Sequence, residues 1–436
     1  MAAALGASAW WNLWYGLQVN NAVAAPESGD VQEAEGNKEN GIAADYMIGL
    51  TYNKLFEHDV IDMDLAPEKW GVLTSHQEYF VKSKRFNSCV ERRYTDFVSF
   101  HELLIATYPY RLVPRLPPKK LIGADTVFIE ERRKALKRWL TIVAQHPILS
   151  ADATTRFFLT FEGPKVHAKI QEIFRRMPDE FTTSCIASKS KELVKSVSPT
   201  LIANSRNQIQ VILAGISQLK RISERMVARS QEYASDLSDI GIVMLEMSND
   251  NQDSSEWAAK GNKIWEETKM GFKLVANEFN DLYAQASDQA TVQKDEVLEK
   301  LNLLFDVLTA HQLLCERHEK GVAQDHQRAL AKMLAFKKVK IQKSISGTDT
   351  ETLERLEKRM MEQESIIADV EVRSAFSLHC MTQETQLVHT YLGIVTEIFN
   401  SLISVQLIGH SEMSKVWKGM QEKIFQCLPS NSETAD

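Results

Sequence analysis

The chain predicts two regions of different class: a small α+β domain with a three-stranded sheet, helices and a Pro-rich loop, then an all-α region of three long helices. Three observations predict this. Ten of the eleven prolines lie between Pro26 and Pro199 and the last is Pro429, so residues 200–428 hold none. Proline lacks an N–H and clashes with the preceding turn, so a gap of this length implies long helices. Strand-like runs bounded by turn residues fall before this gap. Within it, apolar residues recur at spacings of three and four, the seam of a coiled coil.

In the first half, Val60–Leu65, His76–Val81 and Asn87–Arg93 read as strands, with Pro67 and Gly71 breaking the first connection. Thr95–Ala106 has helical spacing through Phe97, Phe100, Leu103 and Leu104. Pro109–Pro118 is stiff and polyproline-like. Phe128–Val143 is a second helix, with Ile129, Leu136, Trp139, Leu140 and Val143 on one face. A small sheet covered by helices buries these faces. Val166, Ile170, Ile173, Phe174 and Met177, set among Lys165, Lys169, Arg175 and Arg176, make a short basic amphipathic helix. It either lies in a membrane interface or packs as a connector.

In the second half the seams run through Ile209, Ile212, Ile216, Leu219 and Met226, then Val297, Leu301, Leu304 and Leu308, then Leu387, Tyr391, Ile394, Ile398, Leu402 and Val405. Polar breaks at Ser248–Ser255 and Ser344–Thr352 divide the span into three, and Thr348 with Glu351 forms a capping box for the third helix. A helix of about sixty residues is roughly 90 Å long, more than a compact domain needs, so an elongated bundle that dimerises is expected. The expected divisions are a disordered tail over 1–44, the α+β domain over 45–164, a linker over 165–199, the helical domain over 200–428 and a disordered tail over 429–436.

The five cysteines are odd in number, far apart and never in a C-x-x-C, which signals neither a disulfide framework nor a zinc ribbon and fits a reducing compartment. Met1–Leu17 is apolar, but it lacks a basic leading region and Asn12 interrupts it, so it is not read as a signal peptide. No apolar run reaches the ~20 residues of a spanning helix, which leaves a peripheral role for any membrane contact. Enzyme motifs such as G-x-x-x-x-G-K, H-E-x-x-H and G-x-S-x-G are missing, so no catalytic residue and no cofactor is assigned. A nucleic-acid reader motif is missing too, in a chain of net charge −7. His311, Cys315 and His318 lie one helical turn apart, but they continue the Leu301, Leu304 and Leu308 seam, which explains the spacing without a metal.

Positive charge is concentrated. Between Lys82 and Arg138 fourteen Lys and Arg stand against six Asp and Glu, a local +8. Arg92-Arg93-Tyr94, Leu116-Pro117-Pro118-Lys119-Lys120 and the helix carrying Arg132 and Arg133 combine fixed cations, an aromatic face and a rigid turn. An anionic sugar phosphate is recognised by such a set. Arg92 alone is equally explained as a structural salt bridge, and Arg111-x-x-Pro114-x-x-Pro117 also fits a polyproline-type ligand for an SH3 domain. Leu121 and Ile122 either dip into a bilayer beside the headgroup or fold back on the domain. Arg328, Lys332, Lys337, Lys338, Lys340 and Lys343, with no acidic residue among them, are either a solvated helix face or a contact with an anionic membrane surface, and the membrane reading is preferred.

Arg92-Arg93-Tyr94-Thr95-Asp96-Phe97, Leu116-Pro117-Pro118-Lys119 and the helix containing Arg132 resemble a PX (phox homology) domain. The Pro-free half resembles the BAR domain that follows it in the PX-BAR sorting nexins. Arg111–Lys119, His318–Gly321 and Glu384–His389 are most similar to one subgroup of that class. The resemblance implies that Arg93 grips a 3-phosphate, Tyr94 packs under the inositol ring, Lys119 meets the 1-phosphate side and Arg132 binds the 4- and 5-hydroxyls. It further implies phosphatidylinositol 3-phosphate as ligand, with Lys120 and Arg133 as candidate acceptors of another phosphate. A homodimer through the BAR domain, a place on the cytosolic face of early endosomes and a role in retrieval toward the trans-Golgi network are expected with it. The competing expectation is a cytosolic coiled-coil scaffold with incidental lipid binding.

Overall fold

Alternating apolar positions in three short segments generate the sheet. In the computed structural model, which describes residues 50–67, 77–119, 125–187, 189–195, 199–249, 262–346 and 350–429, helix α1 (Tyr52–His58) precedes strands β1 (Ile61–Leu65), β2 (Glu78–Ser83) and β3 (Ser88–Arg93). All pairing is antiparallel in the order β1-β2-β3, with Met63 opposite Val81, Val81 opposite Val90 and Glu78 opposite Arg93. Because side chains alternate across a strand, this register sends Met63, Tyr79, Val81 and Val90 inward. The second strand lies two residues later than its sequence pattern suggested.

Helices α2 (Tyr94–Thr107), α3 (Thr126–Gln145) and α4 (Ala153–Thr160) cover the sheet. Phe97, Phe100, Trp139 and Phe158 interlock edge-to-face, with Phe100 and Phe158 stacked at 4.4 Å. The Trp139 indole donates to the Pro114 carbonyl at 2.8 Å, tying the Pro-rich segment to this core. Helix α5 (Val166–Phe174) adds Val166 and Ile170 to the same core, while Ile173 and Met177 stay exposed. The basic amphipathic helix is therefore packed on the core of the α+β domain through Val166 and Ile170.

Short helices α6 (Glu180–Thr183) and α7 (Ser190–Lys195) lead to α8 (Pro199–Ser248), the first long helix. The second runs from 264 to 345 as α9 (Ile264–Gln293), a π turn (Lys294–Leu298), α10 (Glu299–Arg317), a π turn (His318–Ala323) and α11 (Gln324–Ile345). The third comprises α12 (Thr350–Tyr391) and α13 (Ile394–Cys427), interrupted at Leu392-Gly393. A side chain at Gly393 would crowd Tyr52 of α1, whose Cβ lies 3.1 Å from where it would begin. Among the described residues the long helices end at Ser248 and Ile345 and resume at Ile264 and Thr350, on either side of the two polar segments; the π turns were not legible in the sequence pattern. Thr348 of the expected capping box and the terminal tails lie outside the described residues.

Two compact units result, one from residues 50–215 and 303–393, the other from 216–302 and 394–429. In the first, the α+β domain and the middle of the second and third long helices share buried contacts. In the second, Leu237, Val275, Leu282, Ala286 and Met420 form the core. Part of the third helix is apolar enough by composition to cross a membrane. Its Ile394, Ile398, Val405 and Ile408 are buried, while Phe399, Ile403 and Leu407 form an exposed stripe at spacings of four.

Candidate functional site

The β3–α2 junction places two arginines in opposite environments, because consecutive strand residues point to opposite faces. Arg92 is 1% exposed; its guanidinium donates to the carbonyls of Phe158 at 2.6 and 2.8 Å, Phe161 at 2.8 Å and Glu91 at 2.7 Å, and lies over the Phe158 ring. Arg92 is structural, held by carbonyl oxygens rather than by the salt bridge that was the alternative to a ligand role. Burial lowers its pKa to about 10, so it remains charged. Arg93 is half exposed, paired across the strands with Glu78 at 2.6 Å. Its backbone N–H donates to Asp96 at 2.8 Å, and the other Asp96 oxygen accepts from the His167 N–H at 3.0 Å, which fixes the start of α2.

Tyr94 organises the rest. Its hydroxyl donates to the Pro117 carbonyl at 2.5 Å, and burial raises its pKa, keeping the phenol a donor. The Pro-rich segment is thereby pinned two residues before Lys119, which is exposed. The Arg132 guanidinium lies 5.4 Å from the Tyr94 ring centre and 4.5 Å from that of Phe128, stacking that orients a planar cation without consuming its charge. The Arg132 Nε is buried without a hydrogen-bond partner among the described residues. The Tyr79 hydroxyl feels this guanidinium yet makes no hydrogen bond of good geometry to it. Polar capacity is thus held in reserve beside an aromatic face.

Arg133 does not join this set. It is forked onto Glu130 at 2.6 and 2.8 Å and donates to the Met63 carbonyl. Lys120, Leu121 and Ile122 lie outside the described residues. Lys337 and Lys338 are exposed on α11; Lys343 is partly covered and Lys340 pairs with Glu357 at 2.7 Å. The proposed SH3 ligand is closed off, because Arg111 is 4% exposed and committed internally.

That commitment is a buried charged cluster the sequence reading missed. Arg111 Nε donates to Glu180 at 2.8 Å, and Nη1 donates to Gln383 at 2.9 Å and Glu384 at 3.2 Å. His146 Nδ1 accepts the Ile148 and Leu149 N–H groups at 3.1 and 3.2 Å, so its proton sits on Nε2, which donates to Glu384 at 2.9 Å. Glu384 also accepts the Leu112 N–H at 3.3 Å. Despite complete burial these partners hold its pKa below the usual carboxylate value, whereas burial raises that of Glu180, which has fewer of them. Arg317 donates to the Pro109 and Arg111 carbonyls at 3.1 and 2.6 Å. Segments around Arg111, His318 and Glu384 stood out as motifs, which was the available signal; their meeting was not. His311, Cys315 and His318 face Thr385, Met381 and Ser377 of α12, at 3.0, 3.7 and 2.8 Å.

Comparison with known proteins agrees with this organisation. The PX domain family matches residues 80–162, and the sorting nexin 8/Mvp1 BAR domain family matches residues 176–430. The chain is 41% identical to sorting nexin-8 of Bos taurus over 404 residues, covering 93% of this chain and 86% of that one. It is 39% identical to sorting nexin-8 of Homo sapiens over 382 residues, with coverages of 88% and 82%. Sorting nexin MVP1 of Candida glabrata is 24% identical over 433 residues, covering 95% of this chain and 83% of that one. Among solved structures, a cryo-EM structure of the SNX-BAR Mvp1 tetramer superposes with a TM-score of 0.63 at 18% identity, covering 83% of this chain and 99% of that chain, which is a likeness of fold.

Proposed function

The chain belongs to the PX-BAR sorting nexins, with a BAR domain of the sorting nexin 8/Mvp1 type, and from that membership we propose that it reads a 3-phosphoinositide on endosomal membrane and shapes that membrane for protein sorting. The observation that carries this is the Tyr94 constellation: an aromatic ring under the Arg132 guanidinium, a hydroxyl that pins the segment leading to Lys119, and the half-exposed Arg93 one residue away. Arg93 takes the 3-phosphate in exchange for Glu78, Tyr94 supports the inositol ring, Arg132 meets the 4- and 5-hydroxyls and Lys119 the 1-phosphate side. Phosphatidylinositol 3-phosphate is the proposed ligand. The proposed setting is the cytosolic face of early endosomes, in retrieval toward the trans-Golgi network.

The helical region acts as a dimer in this proposal. The exposed Phe399, Ile403 and Leu407 stripe, and Met270 and Leu274 on α9, are apolar surface that a second copy buries. Linking two headgroup sites raises apparent affinity without new contacts, and the cationic run of Lys337, Lys338, Lys340 and Lys343 attracts the anionic leaflet, chiefly through the exposed Lys337 and Lys338, since Lys340 is paired with Glu357. Sedimentation with vesicles carrying each phosphoinositide, followed by electron microscopy of the pellets, tests the proposal. Selective pelleting with phosphatidylinositol 3-phosphate and tubules in the pellet are expected; binding without tubules indicates the scaffold reading. Reversal of the four lysines to Glu is expected to keep the headgroup preference and abolish the tubules.

A further inference from the structure

Helix α11 carries more than charge. Its inner face is committed to α12: Ala329 and Met333 are buried, Gln363 donates to the Ala329 carbonyl at 3.0 Å, and Lys340 pairs with Glu357. At 100° per residue Leu330, Leu334, Ile341 and Ile345 fall within about 60° of one another on a different face. Their exposures are 41%, 59%, 61% and 82%, rising toward the end of the helix. Lys337 and Lys338 flank this stripe, and residues 326–348 contain six Lys and Arg and no Asp or Glu.

A solvated helix face accounts for the lysines and leaves four exposed aliphatic side chains among them unexplained. A second copy of the same helix covers the stripe only by setting cations against cations. An anionic bilayer satisfies both groups together: the acyl boundary takes the aliphatic side chains, while flexible lysine stems carry their ammonium groups up to the lipid phosphates. We propose that the Leu330–Ile345 stripe is an interfacial anchor that inserts into the acyl boundary of an anionic membrane. This rests on the membrane reading above and adds insertion to what would otherwise be adhesion by charge.

The test uses the full chain and vesicles of phosphatidylcholine with phosphatidylserine, first without and then with phosphatidylinositol 3-phosphate. Sedimentation is compared at about 0.15 M and about 1 M salt, where the screening length falls from about 8 to about 3 Å. The wild type is expected to keep a salt-resistant bound fraction. The Leu334→Gln, Ile341→Gln, Ile345→Gln variant is expected to lose it, with affinity at high salt falling tenfold or more, roughly the effect of losing one buried aliphatic side chain. Its preference for phosphoinositide vesicles should persist. A Lys337→Gln, Lys338→Gln variant should show the converse, weaker binding at low salt with the resistant fraction retained.

Equal salt resistance in the aliphatic variant and wild type overturns the proposal. So does a lower oligomeric state of that variant by light scattering with vesicle binding unchanged, which would make the stripe an interface between copies. If the triple variant melts early, the single Ile345→Gln change, at the most exposed position, serves as the readout. Arg93→Ala separates the two readings: it tests the headgroup site through phosphoinositide preference, whereas the anchor is read on vesicles without phosphoinositide.

Discussion

Arg93 and Arg111 are the same residue type in one domain, and their surroundings give them opposite uses. Arg93 is 53% exposed and holds a single cross-strand carboxylate, that of Glu78, which is itself 11% exposed, so a phosphate reaching Arg93 from solvent must displace that one partner. Arg111 is 4% exposed and distributes its donors among Glu180, Gln383 and Glu384, leaving nothing for a ligand. The first arrangement suits recognition. The second joins the Pro-rich segment to α12 through a network in which each charge depends on its neighbours. Local charge density does not distinguish them; access to water does.

The largest effect that would break this comparison lies in the buried cluster. Glu384→Ala leaves Arg111 buried beside a lost partner, and a destabilisation of about 3–5 kcal/mol is expected, read from denaturant unfolding. A stability within experimental scatter of wild type would mean that the cluster is relieved by water and is no different from the surface pair. Next comes Arg93→Ala, expected to lower affinity for phosphatidylinositol 3-phosphate vesicles about hundredfold, since a charge-assisted contact is lost. Because the substitution also takes away the partner of the 11%-exposed Glu78 carboxylate, a thermal melt accompanies the binding isotherm, and the fold is expected to persist.

A third test uses pH. Burial lowers the His311 imidazole from 6.5 to about 4, opposed by Glu384 and assisted by Arg206, so the folded chain resists a proton that the unfolded chain accepts. Its stabilising contribution is therefore full above about pH 6.5 and is lost as pH falls toward 4, by about 2 kcal/mol at pH 5. His311→Gln should flatten that limb of the melting profile, while Arg93→Ala should leave it unchanged. The smallest effect sharpens the exposed side of the comparison. Glu78→Gln removes the carboxylate that competes for Arg93, and a gain of about two- to fivefold in vesicle affinity is expected by surface plasmon resonance.

The β1-β2-β3 meander, the helices over Phe97–Leu104 and Leu136–Val143, and the three long helices were legible because each rests on local periodicity or on proline exclusion, properties of a few neighbouring residues. Arg93, Tyr94, Lys119 and Arg132 were legible as a motif for the same reason, each set in a short run of distinctive chemistry. The fate of Arg92 was less so: one residue from Arg93, it is buried because strand alternation turns it toward Phe158, and β2 register then decides that Glu78 faces Arg93. The basic helix at 166–174 has an amphipathic pattern that serves a membrane or a protein core equally, and packing of Val166 and Ile170 selected the core.

By itself, then, the amino-acid sequence determined the order of elements, the division into a mixed and a helical region, and the chemistry of the Arg93, Tyr94, Lys119 and Arg132 motif, because these follow from interactions within a turn or two of chain. Only the tertiary structure decided which charges remain available. Arg111 meets Glu384 across 273 residues and His146 meets it across 238, and no local pattern encodes such a meeting. The same holds for the outer face of α11: its lysines are plain in the sequence, but whether Leu334, Ile341 and Ile345 are core or surface depends on which side of the helix α12 covers. Burial is a property of the assembled fold, and it sets both the cost of a charge and its freedom to bind.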